Sequence, residues 1–396
     1  MNKLLIFTFL SLLIFSCDGE SKKGKRVAQS PVQYRLETLD SVKISDVLAV
    51  KFLFQSADED HLIFKDAISS EVYVYDRSGK LVDKWRKTGD LPGAFTMASG
   101  NMVQDNSGNL IVLDIMNGLK VFRKDGEIIQ NFGAYRNQIS LGNVISNFRS
   151  QQLIQRDGEE YLLYSLDLIE ESMGDFGPRF FQERKNLLLT NIETEETRDL
   201  LPFPEDSQFL NGKLFFFGDF RPVFTYDEKE KLLYVAFQNE PILYVYDWSG
   251  EKPALKESIA FELEGFKANP GFEKGQVSLG EISDLKVNPF PSQIISLEKY
   301  GKDFLISYKP TPTDKGDLNL YKSGEVSKEL KWKLFEETKT KTVVFTENGK
   351  IIPLALPDMD SDSFRVIGED IWWIKKYEGE QEQEDFVLCR SRLIAD

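Results

Sequence analysis

A single histidine and only two cysteines in 396 residues remove several kinds of chemistry at the outset. His61 alone cannot build a multi-histidine zinc site, and it leaves little room for a Ser-His-Asp triad. Coming after Asp58-Glu59-Asp60 at the start of a strand, it reads as a surface residue. No Gly-x-Ser-x-Gly elbow, HExxH helix or Walker loop occurs. If Cys17 is consumed as described below, Cys389 has no partner in the chain and no disulfide framework can form. Val387-Leu388-Cys389 instead reads as part of an apolar strand, with the thiol a small buried hydrophobe. Excess positive charge is also missing. A formal net charge of −15 and a pI near 4.9 repel phosphate backbones and anionic surfaces, so nucleic acid is not an expected partner. Alanine is sparse, and no apolar pattern holds a 3.6-residue period for three turns, so little helix is expected.

What the chain does have is aromatic residues, 12% of the total with 30 Phe and 14 Tyr, a bias suited to pleated surfaces. Two stretches share one plan: DEDHLIFKDAISSEVYVYDRSGKLVDKW, ending at Trp85, and DNSGNLIVLDIMNGLKVFRKDGEIIQNFG, ending at Gly133. Each reads as a turn, an apolar strand closing on Asp, a second strand, a turn closing on Gly, and a third strand. Their closing glycines, Gly79 and Gly126, lie 47 residues apart, the length of a four-stranded propeller blade. A fainter copy runs from Tyr226 to Gly250, and Leu318 to Gly324 reads as a fourth. Phe215-Phe216-Phe217, Ile294 to Leu297, Phe304 to Tyr308 and Ile371 to Ile374 read as further strands, and Asp167 to Lys185 as a long inserted loop. At roughly 50 to 60 residues per blade, residues 32–396 form one all-β domain, a six-bladed β-propeller with seven blades as the alternative. The strand from Val32 to Leu39 and the last, Phe386 to Ile394, are expected to close the ring.

The N-terminus is different in kind. Residues 1–16 carry Lys3 and then an apolar run from Leu4 to Phe15, too short to span a bilayer but matching a secretory signal. Ile14-Phe15-Ser16-Cys17 resembles a lipobox, which implies diacylation of Cys17 and its exposure as the mature N-terminus. Phe15 departs from the smaller residue usual there. Residues 17–31 are then the lipidated cysteine and a polar, flexible tether. Asp18-Gly19-Glu20 could serve as a sorting signal for surface export. The expected location is the cell envelope, at the outer membrane, either periplasmic or surface-exposed.

The passage from Gly89 to Gly133 resembles an NHL repeat through Gly89, Pro92, Gly93, Phe95, Asp105, Gly108, Asn109, Asp114, Asn117, Val121, Phe122, Gly126, Phe132 and Gly133. Met102-Val103-Gln104 departs from that family's small-apolar inner strand. As a whole the chain resembles a family of bacterial lipoproteins of unknown function with NHL-like or TolB-like six-bladed propellers. The resemblance implies architecture and location but no substrate.

By analogy with that repeat, Asp66, Asp114, Asn117, Gln238 and Asn239 gather at one rim of the central funnel, where oxygen ligands suit calcium or a sugar. The competing explanation is that each Asp caps its own turn. Asp358, Asp360, Asp362 and Glu369 overlap the spacing of an EF-hand loop, although Ser363 stands where that loop needs Gly and Phe364 to Ile367 reads as a strand. The acidic run from Glu378 to Asp385 reads as a charged hairpin loop. No catalytic residues stand out and no cofactor is required. The expectation is a membrane-anchored protein that binds a protein, small-molecule or glycan ligand. A calcium-dependent propeller hydrolase or lactonase is the alternative.

Overall fold

Successive side chains of a strand point to opposite faces of its sheet, and in this protein both faces are apolar. Leu62 and Phe64 pack with Trp372 and Leu388, whereas Ile63 between them packs with Val112 and Phe122. Leu233 and Val235 likewise face away from Tyr234 and Ala236. A sheet with two apolar faces must be covered on both sides, and a ring of sheets does this with no cap at either end.

The computed structural model describes residues 33–395, apart from 46, 48, 50, 88, 90–92, 96–97, 115–117, 134–138, 141–150, 166–167, 170–177, 216–217, 274–289, 325, 361–362 and 377–384. After strand β1 (Tyr34–Ile44), the first blade is β2 (Phe52–Ala57), β3 (His61–Asp66), β4 (Val72–Asp76) and β5 (Leu81–Trp85). The second is β6 (Ala98–Gln104), β7 (Leu110–Asp114), β8 (Gly118–Phe122) and β9 (Ile128–Asn131). Next come β10 (Ile139–Ser140), β11 (Gln151–Arg156), β12 (Glu159–Tyr164), β13 (Leu168–Ile169), helix α1 (Pro178–Glu183), β14 (Leu187–Asn191) and β15 (Thr197–Leu200). Of these, β11, β12, β14 and β15 form the third blade, and β10 pairs with β13. The fourth blade is β16 (Pro222–Asp227), β17 (Leu232–Phe237), β18 (Glu240–Asp247) and β19 (Ala254–Ala260). The fifth is β20 (Gln293–Tyr300), β21 (Asp303–Lys309), β22 (Lys341–Phe345) and β23 (Ile351–Ala355), with helices α2 (Lys315–Ser323) and α3 (Lys328–Glu337) between β21 and β22. The sixth is β24 (Arg365–Ile367), β25 (Asp370–Ile374) and β26 (Phe386–Ala395), completed by β1.

The first strands of the blades touch in cyclic order, β2-β6-β11-β16-β20-β24 and back to β2, so the ring is closed with six blades and the seven-bladed alternative is excluded. The expected closure is present. β1 pairs antiparallel with β26 from Tyr34 opposite Ala395 to Ile44 opposite Phe386. Six apolar clusters fill the six interfaces between neighbouring blades.

The closing glycines of the repeat have a packing reason. Gly79 and Gly126 adopt φ of +86° and +82°, and a Cβ on either would collide with the blade beside it, at Lys43 O and at the Trp85 ring. Cys389 is buried on β26, as expected.

Three readings need correction. Leu318 to Gly324 is not a strand and turn but the body of α2, capped by Asp314 Oδ1 on the amides of Gly316 and Asp317 and ended by Gly324 at φ +84°. The inserted segment after β12 contains α1, which buries Phe180 and Phe181. Phe215 is buried but lies outside any strand, and residues 216–217 are not described.

Side chains stitch the inner strands together. Gln152 of β11 donates to Tyr226 O at 3.1 Å and accepts from Tyr226 N at 2.9 Å, so one side chain satisfies both backbone groups of a residue in the next blade. Gln55 Oε1 likewise accepts from Met102 N, and Gln151 Nε2 donates to Asn101 O. Replacing Gln152 by Leu strands both Tyr226 groups, and urea unfolding is expected to show a loss of about 2–4 kcal/mol. A loss under about 0.5 kcal/mol would show that the bridge is incidental.

Candidate functional site

In a four-stranded meander, the turns joining first to second and third to fourth strands lie at one end. The second-to-third connections and the crossings between blades lie at the other. Every described turn at the first end is two to six residues long. The longer connections, those that follow Trp85, Asn131, Tyr164, Leu200, Ala260 and Lys309, leave from the other end. Long connections concentrate on one face, where a propeller has freedom to build a site.

Asp66, Asp114, Gln238 and Asn239 all follow or end the second strand of their blades and therefore sit at this end. Asp66 serves its own turn: Oδ1 accepts from the amides of Lys51 and Ile68, and Oδ2 from Ser69 N and Oγ. Burial pushes its carboxyl up, but those hydrogen bonds outweigh it and hold the group below its ordinary value. Asp114 is buried, and Asn117 lies outside the described residues.

Gln238 and Asn239 act as rivets. Asn239 is fully buried: its N donates to Asp219 O at 2.8 Å, its Nδ2 to Ser292 O at 2.5 Å, and its Oδ1 accepts from Asn269 N. Gln238 O accepts from Ile294 N at 2.7 Å. Glu240 takes Gln208 N at 2.6 Å and Ser207 Oγ at 3.1 Å. Burial pushes the Glu240 carboxyl up, against these hydrogen bonds. One short turn therefore pins two long connections, 201–221 and 261–292. Within and beneath the first, Phe180, Phe181, Phe203, Phe209, Phe215, Phe220 and Phe237 pack ring to ring, a continuous aromatic layer among the described residues of this sector.

Asp358 and Asp360 form no cation cradle with Glu369. Lys376 donates its amide to Asp358 O and pairs with its carboxylate at 3.8 Å, while Asp360 N donates to Ile374 O. Strand β24 separates both from Glu369, which lies exposed at its far end, and Asp362 is outside the described residues. Among the described residues, no group of three or more His, Cys, Asp or Glu is placed to hold a metal ion.

Among the described residues, two clefts are open. One, of about 500 Å³, lies at the edge of the fifth blade. Val343, Ile351, Pro353, Leu354 and Leu356 make its apolar wall, and Glu262, Glu264 and Lys341 its charged rim. Lys341 Nζ meets Glu264 Oε2 at 2.9 Å, and that bond and charge hold the Glu264 carboxyl below its ordinary value. The second, of about 370 Å³, opens at the short-turn end among Asp227, Glu228, Lys229, Glu298 and Lys299, with Asp227 and Lys299 paired at 2.7 Å. Sequence reasoning missed both, because their walls come from segments far apart in the chain. The alternation of Lys341 to Phe345 gave no sign of which residues reach a cleft.

Lys65, on β3, is buried. Burial, reinforced by the Arg365 charge, lowers its ammonium to about 8.

The DUF5128 family, described as a 6-bladed beta-propeller, matches residues 20–265, more than half of the chain. No curated protein matches. A solved structure of a DUF4221 family member from Bacteroides vulgatus is similar at 13% identity and a TM-score of 0.60, over 92% of this chain and 99% of that one. A Bacteroides fragilis protein inferred to be exported is similar at 12% identity and a TM-score of 0.54, over 90% and 95%. At such identities the likeness is one of fold.

Lys65 gives a test of this burial. Its folded pKa lies below its unfolded value, so below pH 8 both states are protonated and the cost of the buried charge is fully present. Between pH 8 and about 10.5 the unfolded chain holds more protons, and stability should rise with pH by up to about 3 kcal/mol relative to Lys65→Met. Parallel pH profiles for the two proteins in chemical denaturation would contradict a buried Lys65 charge.

Proposed function

The chain belongs to the DUF5128 family of six-bladed β-propellers, and from that premise we propose that it is an exported, lipid-anchored binding protein whose ligand seats in the cleft at the edge of the fifth blade. The cleft itself carries the reading. Its volume falls in the range of sites for small ligands, and a mostly apolar wall with a few convergent charges is the usual chemistry of recognition. Glu262, Glu264 and Lys341 select for a ligand with polar or charged groups beside an apolar body, such as a glycan or a peptide segment. The side chains of Asp66 and Asn239, two of the funnel-rim residues, hold backbone groups, which favours a binding role over a calcium-dependent hydrolase.

Export and anchoring rest on the N-terminal sequence: the apolar run from Leu4 to Phe15, Cys17, and the polar tether that follows. The similar Bacteroides fragilis protein inferred to be exported is in keeping with that location.

Two measurements test the reading. Metabolic labelling with palmitate should mark the wild type and not Cys17→Ala; equal labelling of both would remove the anchor. In screens of glycans and peptides against the purified protein, a specific ligand should lose at least tenfold in affinity on Lys341→Glu, with Lys299→Glu at the short-turn end silent. A ligand that responds to Lys299→Glu alone, or metal-dependent turnover on lactone or ester panels, would overturn the assignment.

A further inference from the structure

The hairpin of α2 and α3 stands apart from the rest of the fifth blade in its surface. Helix α2 buries none of its residues and α3 buries only Leu334. Trp332 and Phe335 are 57% and 58% exposed, with their rings edge to face at 6.1 Å, and Leu320 on α2 is 43% exposed. Leaving two large aromatic side chains in water forgoes stabilisation that burial would give.

Helical spacing shows what accompanies them. Lys328, Trp332 and Phe335 follow one another at intervals of four and three residues and so share a single stripe of α3, with Lys331 beside it. Leu330 and Leu334 lie on the opposite side of the helix, and Leu334 is buried. The connection that holds the hairpin, residues 310–340, has six lysines and six acidic residues and is neutral in a chain whose net charge is −15. Lys328 and Lys331 flank the two rings on one side, where their long stems can lie along an apolar surface while their ammonium groups reach anionic headgroups, and Glu329 and Glu336 follow on the other side. The hairpin thus lacks the excess negative charge by which the chain as a whole repels such surfaces.

A second observation says which surface is near. The chain joins the ring at Tyr34, which pairs with Leu354 of β23. Leu354 lines the fifth-blade cleft together with Thr340 and Lys341, the residues at which α3 returns to β22. The first described strand therefore begins beside the base of the hairpin. From Cys17 to Tyr34 an extended chain reaches about 60 Å, whereas each helix of the hairpin is only about 15 Å long. The tether is ample for the hairpin to lie on a bilayer that holds a lipid at Cys17.

We propose that the α2–α3 hairpin docks on the membrane surface, with Trp332 and Phe335 in the interfacial layer and Lys328 and Lys331 on anionic headgroups. This orientation rests on the anchor at Cys17, and it turns the fifth-blade cleft toward the membrane surface.

Tryptophan fluorescence reads the docking directly. Of the five tryptophans, Trp85, Trp248, Trp372 and Trp373 are buried, so Trp332 alone is open to a quencher. The full-length lipidated protein is reconstituted into phosphatidylethanolamine–phosphatidylglycerol vesicles containing lipids brominated near the headgroup. Part of the emission should be quenched, and that part should vanish in Trp332→Phe. Membrane-bound protein whose emission is not quenched, or is quenched equally in both forms, would overturn the docking while leaving the anchor intact. If Cys17 proves unlipidated, the same lipids are supplied as added vesicles: quenching of Trp332 would then support docking without an anchor, and none would overturn it. A concentration-dependent dimer abolished by Trp332→Ala with Phe335→Ala, or a photocross-linker at position 332 that captures protein rather than lipid, would also overturn it.

Discussion

The pairing of β1 with β26 is the constraint on which the rest of the structure depends. Without β1, the sixth blade ends on an open strand edge, and the apolar faces between the sixth and first blades lose Ile44 and Val47, which pack with Phe52 and Leu388. The contact joins the two ends of the folded chain, yet the entropy of closing so large a loop grows only slowly with its length. Backbone pairing from Tyr34 to Ile44 and the apolar interface supply the stabilisation. The exposed pairs of Arg390 with Asp40 and Arg392 with Glu37 contribute little beyond register.

Closure fixes what neighbouring blades must do for one another. Their inner strands converge toward the axis without forming a common sheet, so side chains take over the hydrogen bonds. Gln55, Gln151 and Gln152 do this around the first half of the ring, whereas between the fourth and fifth blades a backbone bond, Ile294 N to Gln238 O, makes the link. At the outer turns, blades approach closely enough that Gly79 and Gly126 have no room for a side chain. Arg77 adds a cation over the Trp372 ring, 5.2 Å from its centroid, across the seam next to the closure.

Much of this was legible in the sequence because it is local and periodic. The strands of the first two blades, their glycine turns and the terminal strands all follow from alternation and turn chemistry, as does the burial of Cys389. Leu318-Asn319-Leu320-Tyr321 was misread because four residues of apolar alternation outweighed the stronger signals around them: Asp314 as an N-cap, Gly324 as a C-cap, and Ser327 with its oxygen on Leu330 N. The exposed stripe of α3 was invisible for the same reason, since its period only has meaning once the segment is known to be helical. The rivet made by Asn239 and the walls of both clefts depend on which distant connections meet, and no spacing along the chain encodes that. Asp66 was singled out for the right position, at the end of a second strand, but its oxygens are spent on its own turn.

Function follows from the asymmetry between the two ends of the ring. Short turns frame only a small charged cleft at one end, while the long connections of the other build the phenylalanine layer, the fifth-blade cleft and the helical hairpin. All of it presupposes a ring whose seam is as firm as its other interfaces. Native-state hydrogen exchange measures this directly. The amides of β1 and β26 should exchange only through global unfolding, with the same free energy as those of β3 and β17. Markedly faster exchange in β1 and β26, with β3 and β17 still protected, would mean that the ring opens at its seam and would contradict the account.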